Sequence, residues 1–131
     1  MIVDASAILA ILLEEPEGDT MEDILMLARQ HTHLMSPVNY LEAAVRLDNF
    51  EDGLKGTALD PLLEVLGITV VALTPDEAKS ARKAYRRFGK GNHAAKLNMG
   101  DCFAYALSKA RNEPLLFKGD DFRQTDVEIV I

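Results

Sequence analysis

The sequence predicts an α/β fold: a single domain of residues 1–131 built on a mostly parallel sheet with helices on both faces. Short apolar runs suited to buried strands alternate with longer segments of helical periodicity. No two strand-like runs are joined by a hairpin turn, which favours parallel strands linked by helices. With 48% hydrophobic residues, 6% aromatics and no Trp, the chain can bury an aliphatic core.

The first half of the chain is predicted to hold two strands and four helices. A polar break at residues 14–19 separates the first two helices, and Ser36 before Pro37 is typical of a helix start. In order, the expected elements are a strand at 2–3, helices at 5–13 and 21–30, a strand at 32–35, and helices at 37–47 and 61–66. We expect the buried stripe of the third helix to comprise Tyr40, Leu41, Ala44 and Val45.

The second half is predicted to continue the alternation. Residues 68–73 form the clearest strand, and Thr74 with Pro75 begins a helix that reaches Phe88. The segment 89–100 is rich in Gly, Asn, His and Lys, and we expect a surface loop there. The remaining expected elements are a buried helix at 101–110, a strand at 115–117, a turn at 119–122 and a final strand at 127–131.

The charge distribution limits how the protein can contact nucleic acid. A formal net charge of -7 disfavours binding through a broad basic surface, because Lys and Arg supply most non-specific affinity for phosphates. Metal ions bound by clustered acids would nevertheless reverse the local field. Basic residues are also concentrated in one stretch, which is either a phosphate-guiding or partner-binding patch or a solvated helix face. They are Lys79, Arg82, Lys83, Arg86, Arg87, Lys90 and Lys96.

Cysteine content and hydropathy indicate the compartment. Cys102 is the only cysteine, so neither an intramolecular disulfide nor a Cys-rich zinc site can form. The first residues lack the features of a signal peptide, and no apolar run approaches the length of a membrane span. We therefore expect a cytoplasmic protein with no membrane association.

Four carboxylates are placed where a strand ends or the following helix begins: Asp4, Glu42, Asp101 and Asp121. In an open α/β sheet these places share the carboxyl edge, where ligands bind. Acids gathered there repel one another unless a hard cation such as Mg²⁺ or Mn²⁺ lies between them. Each acid also has a structural alternative. Asp4 and Asp101 suit helix caps, Asp121 suits a turn, and Glu42 could face solvent.

A carboxylate site of this kind favours phosphodiester hydrolysis. A metal-bound water of lowered pKa can attack phosphorus, and a second ion can stabilise the leaving oxygen. His31, His33 and His93 lack zinc-binding spacing, and we expect all three in surface or loop positions.

Three motifs resemble those of the PIN-domain ribonucleases, specifically the VapC toxins of type II toxin–antitoxin systems, over essentially the whole chain. The first is Ile2-Val3-Asp4-Ala5-Ser6-Ala7, and the second is Ser36-Pro37 leading into Glu42-Ala43. The third and most specific joins Leu97-Asn98-Met99-Gly100-Asp101-Cys102-Phe103-Ala104-Tyr105-Ala106 to Leu115-Leu116-Phe117-Lys118-Gly119-Asp120-Asp121-Phe122 and Thr125-Asp126.

The resemblance implies a three-layer α/β/α sandwich around a mostly parallel five-stranded sheet. It implies an endoribonuclease whose metal and catalytic residues are Asp4, Glu42, Asp101 and Asp121, with Mg²⁺ or Mn²⁺ as cofactor. Asp121 precedes Phe as the fourth acid does in related sequences, while the adjacent Asp120 remains an alternative. Ser6 resembles a hydroxyl that supports the first Asp. The implied partners are an RNA substrate, with tRNA or another structured RNA as candidates, a VapB-type antitoxin and a second copy of the chain.

Two other functions fit parts of the pattern. A catalytically idle PIN-like module would act only by binding its antitoxin and operator complex, although all four acids are present. A phosphoryl-accepting receiver or phosphatase domain also places acids at a sheet edge. Its paired aspartates after the first strand are missing here, and the strand before Thr74-Pro75 ends without an acceptor Asp. The RNA target and the number of metal ions stay open.

Overall fold

The computed structural model describes residues 1–131 and has four strands and six α-helices. Two short 3₁₀ segments, Leu54–Ala58 and Asp121–Gln124, complete it. In chain order the elements are β1 (Ile2–Val3), α1 (Ala5–Leu12), α2 (Gly18–Leu27), β2 (His33–Met35), α3 (Pro37–Asp48), α4 (Leu59–Leu66), β3 (Ile68–Val70), α5 (Pro75–Phe88), α6 (Met99–Arg111) and β4 (Leu115–Leu116).

The four strands form one parallel sheet in the order β3-β2-β1-β4. The predicted fifth strand at 127–131 is wrong as a strand, because only Ile129 pairs with the sheet, through a single parallel bridge to Leu115. The Leu115 N–H donates to the Glu128 carbonyl at 2.8 Å, and the Val130 N–H donates to the Leu115 carbonyl at 3.1 Å. The β4 strand is only two residues long, so it offers this tail too little backbone for a continuous ladder.

Two buried clusters, one on each side of the sheet, confirm the predicted layers. Neighbouring strand residues point to opposite faces, so Ile2 packs with α5 and α6 while Val3 packs with α1 and α3. In the same way Leu115 belongs to the first cluster and Leu116 to the second. None of the six helices combines the length and the apolar character that a membrane span requires.

Polar caps begin the three helices α1, α3 and α6. The Asp4 carboxylate accepts a hydrogen bond from the Ser6 N–H at the start of α1, and the Ser36 hydroxyl accepts one from the Val38 N–H at the start of α3. Asn98 caps α6 by accepting from the Asp101 N–H at 2.9 Å. These caps satisfy N–H groups that have no partner within the helix.

The α3 helix presents a different stripe to the core from the predicted one. Its fully buried residues are Asn39, Ala43 and Leu47. Of the predicted stripe, Tyr40 and Ala44 are partly buried against the core, whereas Leu41 is 60% exposed and Val45 is 50% exposed. A polar residue on the buried face misled the prediction, which assigned burial by apolar character alone. The shift places Asn39 on the face of α3 that meets α1 and α6.

Candidate metal centre

Asp4 leaves β1 and lies buried at the base of the site, with 4% of its surface exposed. Its Oδ2 accepts hydrogen bonds from the Ser6 N–H at 3.1 Å and from the Ser6 hydroxyl at 2.6 Å. The same hydroxyl oxygen accepts from the Lys118 N–H at 2.9 Å, so its own proton is committed to Asp4. Burial raises the pKa of Asp4 despite the Ser6 bonds, and the Asp121 charge adds to the rise.

Asp101 lies in the first turn of α6 and completes a capping box with Asn98. Its Oδ2 accepts from the Asn98 N–H at 3.0 Å. Burial raises the pKa of Asp101 to about 7, and the charges of Asp4, Asp121 and Glu42 contribute to the rise. The expected capping role is therefore present, although burial and, to a lesser extent, the other acids disfavour the ionised form of Asp101.

Glu42 approaches the beginning of α6 from the second turn of α3. Its Oε1 accepts a hydrogen bond from the Asn39 Nδ2 at 2.9 Å. A Cβ atom at Gly100 would lie 2.1 Å from this Oε1, so only glycine leaves room for the carboxylate. Burial raises the pKa of Glu42, and the Asp4 charge raises it further.

Asp121 and Asp120 are both exposed, but they differ in their surroundings. The Asp120 side chain is 93% exposed and pairs with Arg123 at 3.7 Å. The Asp121 charge, in contrast, raises the pKa of both Asp4 and Asp101. Of the two adjacent acids, Asp121 is thus the one whose charge acts on Asp4 and Asp101.

The four acids share one edge of the sheet but do not surround a metal-binding position. No three His, Cys, Asp or Glu side chains are arranged in a group that could hold a metal ion. Asp4, Glu42 and Asp101 lie together where α1, α3 and α6 meet, and Asp121 lies at the exposed rim.

The donor set nevertheless fits a hard divalent cation. None of the four carboxylates forms an ion pair with a Lys, Arg or His side chain. The hydrogen bonds to Asp101 and Glu42 each engage one carboxylate oxygen and leave the other without a protein donor. Oxygen ligands with unbalanced negative charge are the ligands that Mg²⁺ and Mn²⁺ prefer.

Asn39 joins this site without having been predicted. Its side chain is fully buried, and its Nδ2 lies 2.9 Å from Glu42 Oε1, 3.0 Å from the Gly100 carbonyl oxygen and 3.4 Å from Asp4 Oδ1. Its Oδ1 is buried without a partner. The sequence signal that could have identified Asn39 was its position three residues before Glu42, which puts both side chains on one helix face.

The histidines lie away from the acids, and one prediction about them is wrong. His33 is fully buried in β2, with its Nδ1 3.5 Å from the terminal nitrogen of Met1. Burial lowers the pKa of His33, and the positive N-terminus lowers it further. His93 is exposed in the predicted loop, where its Nδ1 accepts from the Ala95 N–H at 2.9 Å.

Comparison with known families decides the classification. The family described as the PIN domain matches residues 1–128. The chain belongs to the PIN-domain family. This PIN domain is 45% identical over 130 residues to a Mycolicibacterium smegmatis protein named ribonuclease VapC, with 99% of each chain covered. It is 42% identical over 130 residues to ribonuclease VapC30 of Mycobacterium tuberculosis, covering 99% of this chain and 98% of that one.

A solved structure matches the fold of this PIN domain. It is the crystal structure of Mycobacterium tuberculosis VapC20, titled a sarcin-ricin loop cleaving toxin, with a TM-score of 0.79 and 14% identity. The match covers 98% of this chain and 97% of that one. The motif-based resemblance to the PIN-domain and VapC proteins is confirmed, and so is the α/β fold class with its parallel sheet.

Proposed function

We propose that this PIN domain is a metal-dependent endoribonuclease and the toxin of a VapBC toxin–antitoxin pair. The observation that carries the proposal is the meeting of Asp4, Glu42 and Asp101 at the start of α6, where no Lys, Arg or His side chain pairs with any of them. A divalent cation would relieve the repulsion among these acids and present the edge to a phosphate. The high identity to relatives named ribonuclease VapC supports the same activity.

The cation would be held by Asp4, Asp101 and Asp121, with Glu42 contributing to its binding directly or through a water. When bound, Mg²⁺ or Mn²⁺ supplies a Lewis acid and a water of lowered pKa. Ser6 keeps the Asp4 carboxylate in one orientation, and the Asn98 N–H does the same for Asp101. The second oxygen of Glu42 is available to accept a hydrogen bond from the attacking water and to direct it at phosphorus.

Hydrolysis then joins the water oxygen to phosphorus and breaks the bond to the leaving ribose oxygen. One proton passes to that oxygen, and the other leaves with solvent or through Glu42. The carboxylates act by holding and orienting these groups, so no Ser or Cys nucleophile is required.

The basic stretch supports a path for RNA beside the acids. Of its seven Lys and Arg residues only Arg87 forms an ion pair, with Asp126 at 3.6 Å. Arg82, Lys90 and Asn98 are the polar residues on the wall of a cavity of about 530 Å³ between α5 and α6, whose lining is otherwise mostly apolar. Since Asn98 bonds directly to Asp101, phosphates bound along α5 would lead to the proposed metal centre.

Exposed apolar side chains support a protein partner as well. Leu41 and Val45 project from α3, and Leu54, 66% exposed, lies in the 3₁₀ segment that packs against the same helix. Apolar surface of this kind is typical of interaction sites. A VapB-type antitoxin or a second copy of the chain would cover it. The single, buried Cys102 is consistent with a reducing cytoplasm.

The direct test is cleavage of total RNA with Mg²⁺ or Mn²⁺, followed by mapping of the cleaved ends. We expect cleavage that EDTA abolishes, and a loss of about a thousandfold or more in Asp4→Asn and Asp101→Asn proteins that remain folded. Asp120→Asn is the matched control and should retain activity. Cleavage that survives EDTA and both substitutions would contradict the proposal. Wild-type protein that binds Mn²⁺ but cuts no RNA would favour the idle module.

A further inference from the structure

We propose that Asn39 is a positioning residue that sets the spacing of the Asp4 and Glu42 carboxylates for the cation. This inference rests on the proposed function, because it concerns metal binding at the same edge. Asn39 itself makes no contact with the reacting atoms. Its role is to hold two of the ligating or water-orienting groups in one arrangement.

The contacts of one nitrogen atom carry the inference. The Nδ2 of Asn39 is within hydrogen-bond distance of acceptors from three separate parts of the fold, namely Asp4 Oδ1, Glu42 Oε1 and the Gly100 carbonyl. An inverted amide would place its oxygen against these three acceptors, and repulsion excludes that orientation. The amide therefore donates toward the site.

No other side chain makes this connection. Ser6 donates only to Asp4, and the Asn98 backbone donates only to Asp101. Asn39 is the one neutral donor that bonds to two of the four acids. It also ties α3 to the first turn of α6 through Gly100, so it fixes both carboxylates relative to Asp101.

Stability alone does not account for an amide at this position. The Oδ1 of Asn39 is buried and has no hydrogen-bond partner. Such an orphaned acceptor is unfavourable, and an apolar side chain at this position would carry no acceptor to be left unpaired. The bonds made by Nδ2 explain why a polar side chain nevertheless lies on the buried face of α3.

The test is a calorimetric titration with Mn²⁺ alone. Asn39→Leu keeps the number of side-chain heavy atoms and the branch at Cγ but removes the donor, and we expect its Mn²⁺ affinity to fall by about 10–100-fold. Ser108→Ala is the matched control. Its hydroxyl is also buried, and it donates to the Glu113 carbonyl at 2.5 Å near the opposite end of α6. This control should lower Tm and leave Mn²⁺ affinity unchanged.

A double-variant cycle separates positioning from general destabilisation. If Asn39 acts through Glu42, the loss of affinity in Asn39→Leu with Glu42→Gln will be smaller than the product of the two single losses. Should Asn39→Leu fail to fold, the shorter polar variant Asn39→Ser answers the same question, with a predicted loss in the same direction.

The outcomes distinguish this inference from the proposed function. Wild-type Mn²⁺ affinity in a folded Asn39→Leu or Asn39→Ser protein would overturn the positioning role alone. Independent losses in the double variant would do the same. A wild-type protein that binds no Mn²⁺ would overturn the proposed metal centre and this inference together.

Discussion

The two ends of α6 hold carboxylates in opposite electrostatic environments. At its beginning, burial and the charges of neighbouring acids raise the pKa of Asp101 to about 7. Near its end, Asp126 accepts a hydrogen bond from the Tyr105 hydroxyl and pairs with Lys109 at 3.3 Å and Arg87 at 3.6 Å. The Tyr105 bond and the Lys109 ammonium lower the pKa of Asp126.

This difference separates a carboxylate that stabilises the fold from one that the fold leaves unbalanced. Asp126 finds its positive partners within the protein, so it needs nothing further. Asp101 has a backbone donor but no cation, although it lies next to three other acids. A carboxylate whose ionised form is disfavoured by its surroundings is a candidate functional residue. The difference therefore favours a bound cation at the beginning of α6 and not near its end.

Neutralising the two acids should have opposite effects on the free energy of unfolding. Asp101→Asn removes repulsion and keeps an oxygen for the Asn98 N–H, so we expect metal-free protein to gain about 2 kcal/mol at pH 7. Asp126→Asn weakens a half-exposed cluster and should lose about 1 kcal/mol. Thermal and urea denaturation measure both. Shifts in the same direction would remove the contrast between the two ends.

A glycine exchange at each end should separate the two regions by metal affinity. Gly100→Ala places a Cβ 2.1 Å from Glu42 Oε1, and the displaced carboxylate should weaken Mn²⁺ binding by about tenfold or more. Asn112→Gly is the control at the C-cap of α6, where φ is 52°, and it should leave Mn²⁺ binding unchanged.

A further variant confirms the cause. In a Glu42→Ala background, Gly100→Ala meets no carboxylate and should stabilise the helix by up to about 1 kcal/mol. Destabilisation in that background would mean that a contact other than Glu42 requires glycine at position 100.

The pH dependence of stability provides the most specific effect. The folded-state pKa of Asp101 is about 7 and its ordinary value is 3.8, so the folded protein holds the extra proton between these values. Without metal, its contribution to stability is present at low pH and is lost as pH rises from about 4 to 7. We expect Tm to fall by about 7 °C over that range, measured by calorimetry, and Asp101→Asn to reduce that fall.

Asp126 contributes with the opposite sign. Its folded-state pKa is lowered below 3.8, so the stability it adds is present above that value and is lost as pH falls further.

Saturating Mn²⁺ should reverse the pH dependence of stability that Asp101 contributes, because a bound cation favours the ionised form of Asp101. A metal-free curve that rises between pH 4 and 7 in wild-type protein, with no change in Asp101→Asn, would contradict the assigned pKa.

Local sequence signals predicted most elements because each has its own start and stop residues. Ser36-Pro37 and Thr74-Pro75 mark helix starts in the structure as expected. The last strand failed because strand formation depends on the partner, and a two-residue β4 gives residues 127–131 only one point of pairing. His33 was misplaced because burial follows from the central position of β2, which composition does not reveal.

The candidate site was only partly accessible to the same reasoning. Asp4 and Asp101 could be predicted from their places after a strand and within a helix cap. Asn39 could not, because its role depends on contacts with Asp4 and Gly100, which are 35 and 61 positions away in sequence. Which carboxylate oxygens would bind a cation depends on such distant contacts, and spacing along the chain cannot supply them.

The carboxylate edge draws its members from opposite ends of the polypeptide. Asp4 leaves the strand that pairs with β4, and Asp121 is delivered only after β4 has been made. The edge therefore cannot be assembled until the ribosome has released the chain beyond Asp121. Under the proposed function, a nascent chain that has not reached this point lacks part of the metal centre and is inert toward RNA.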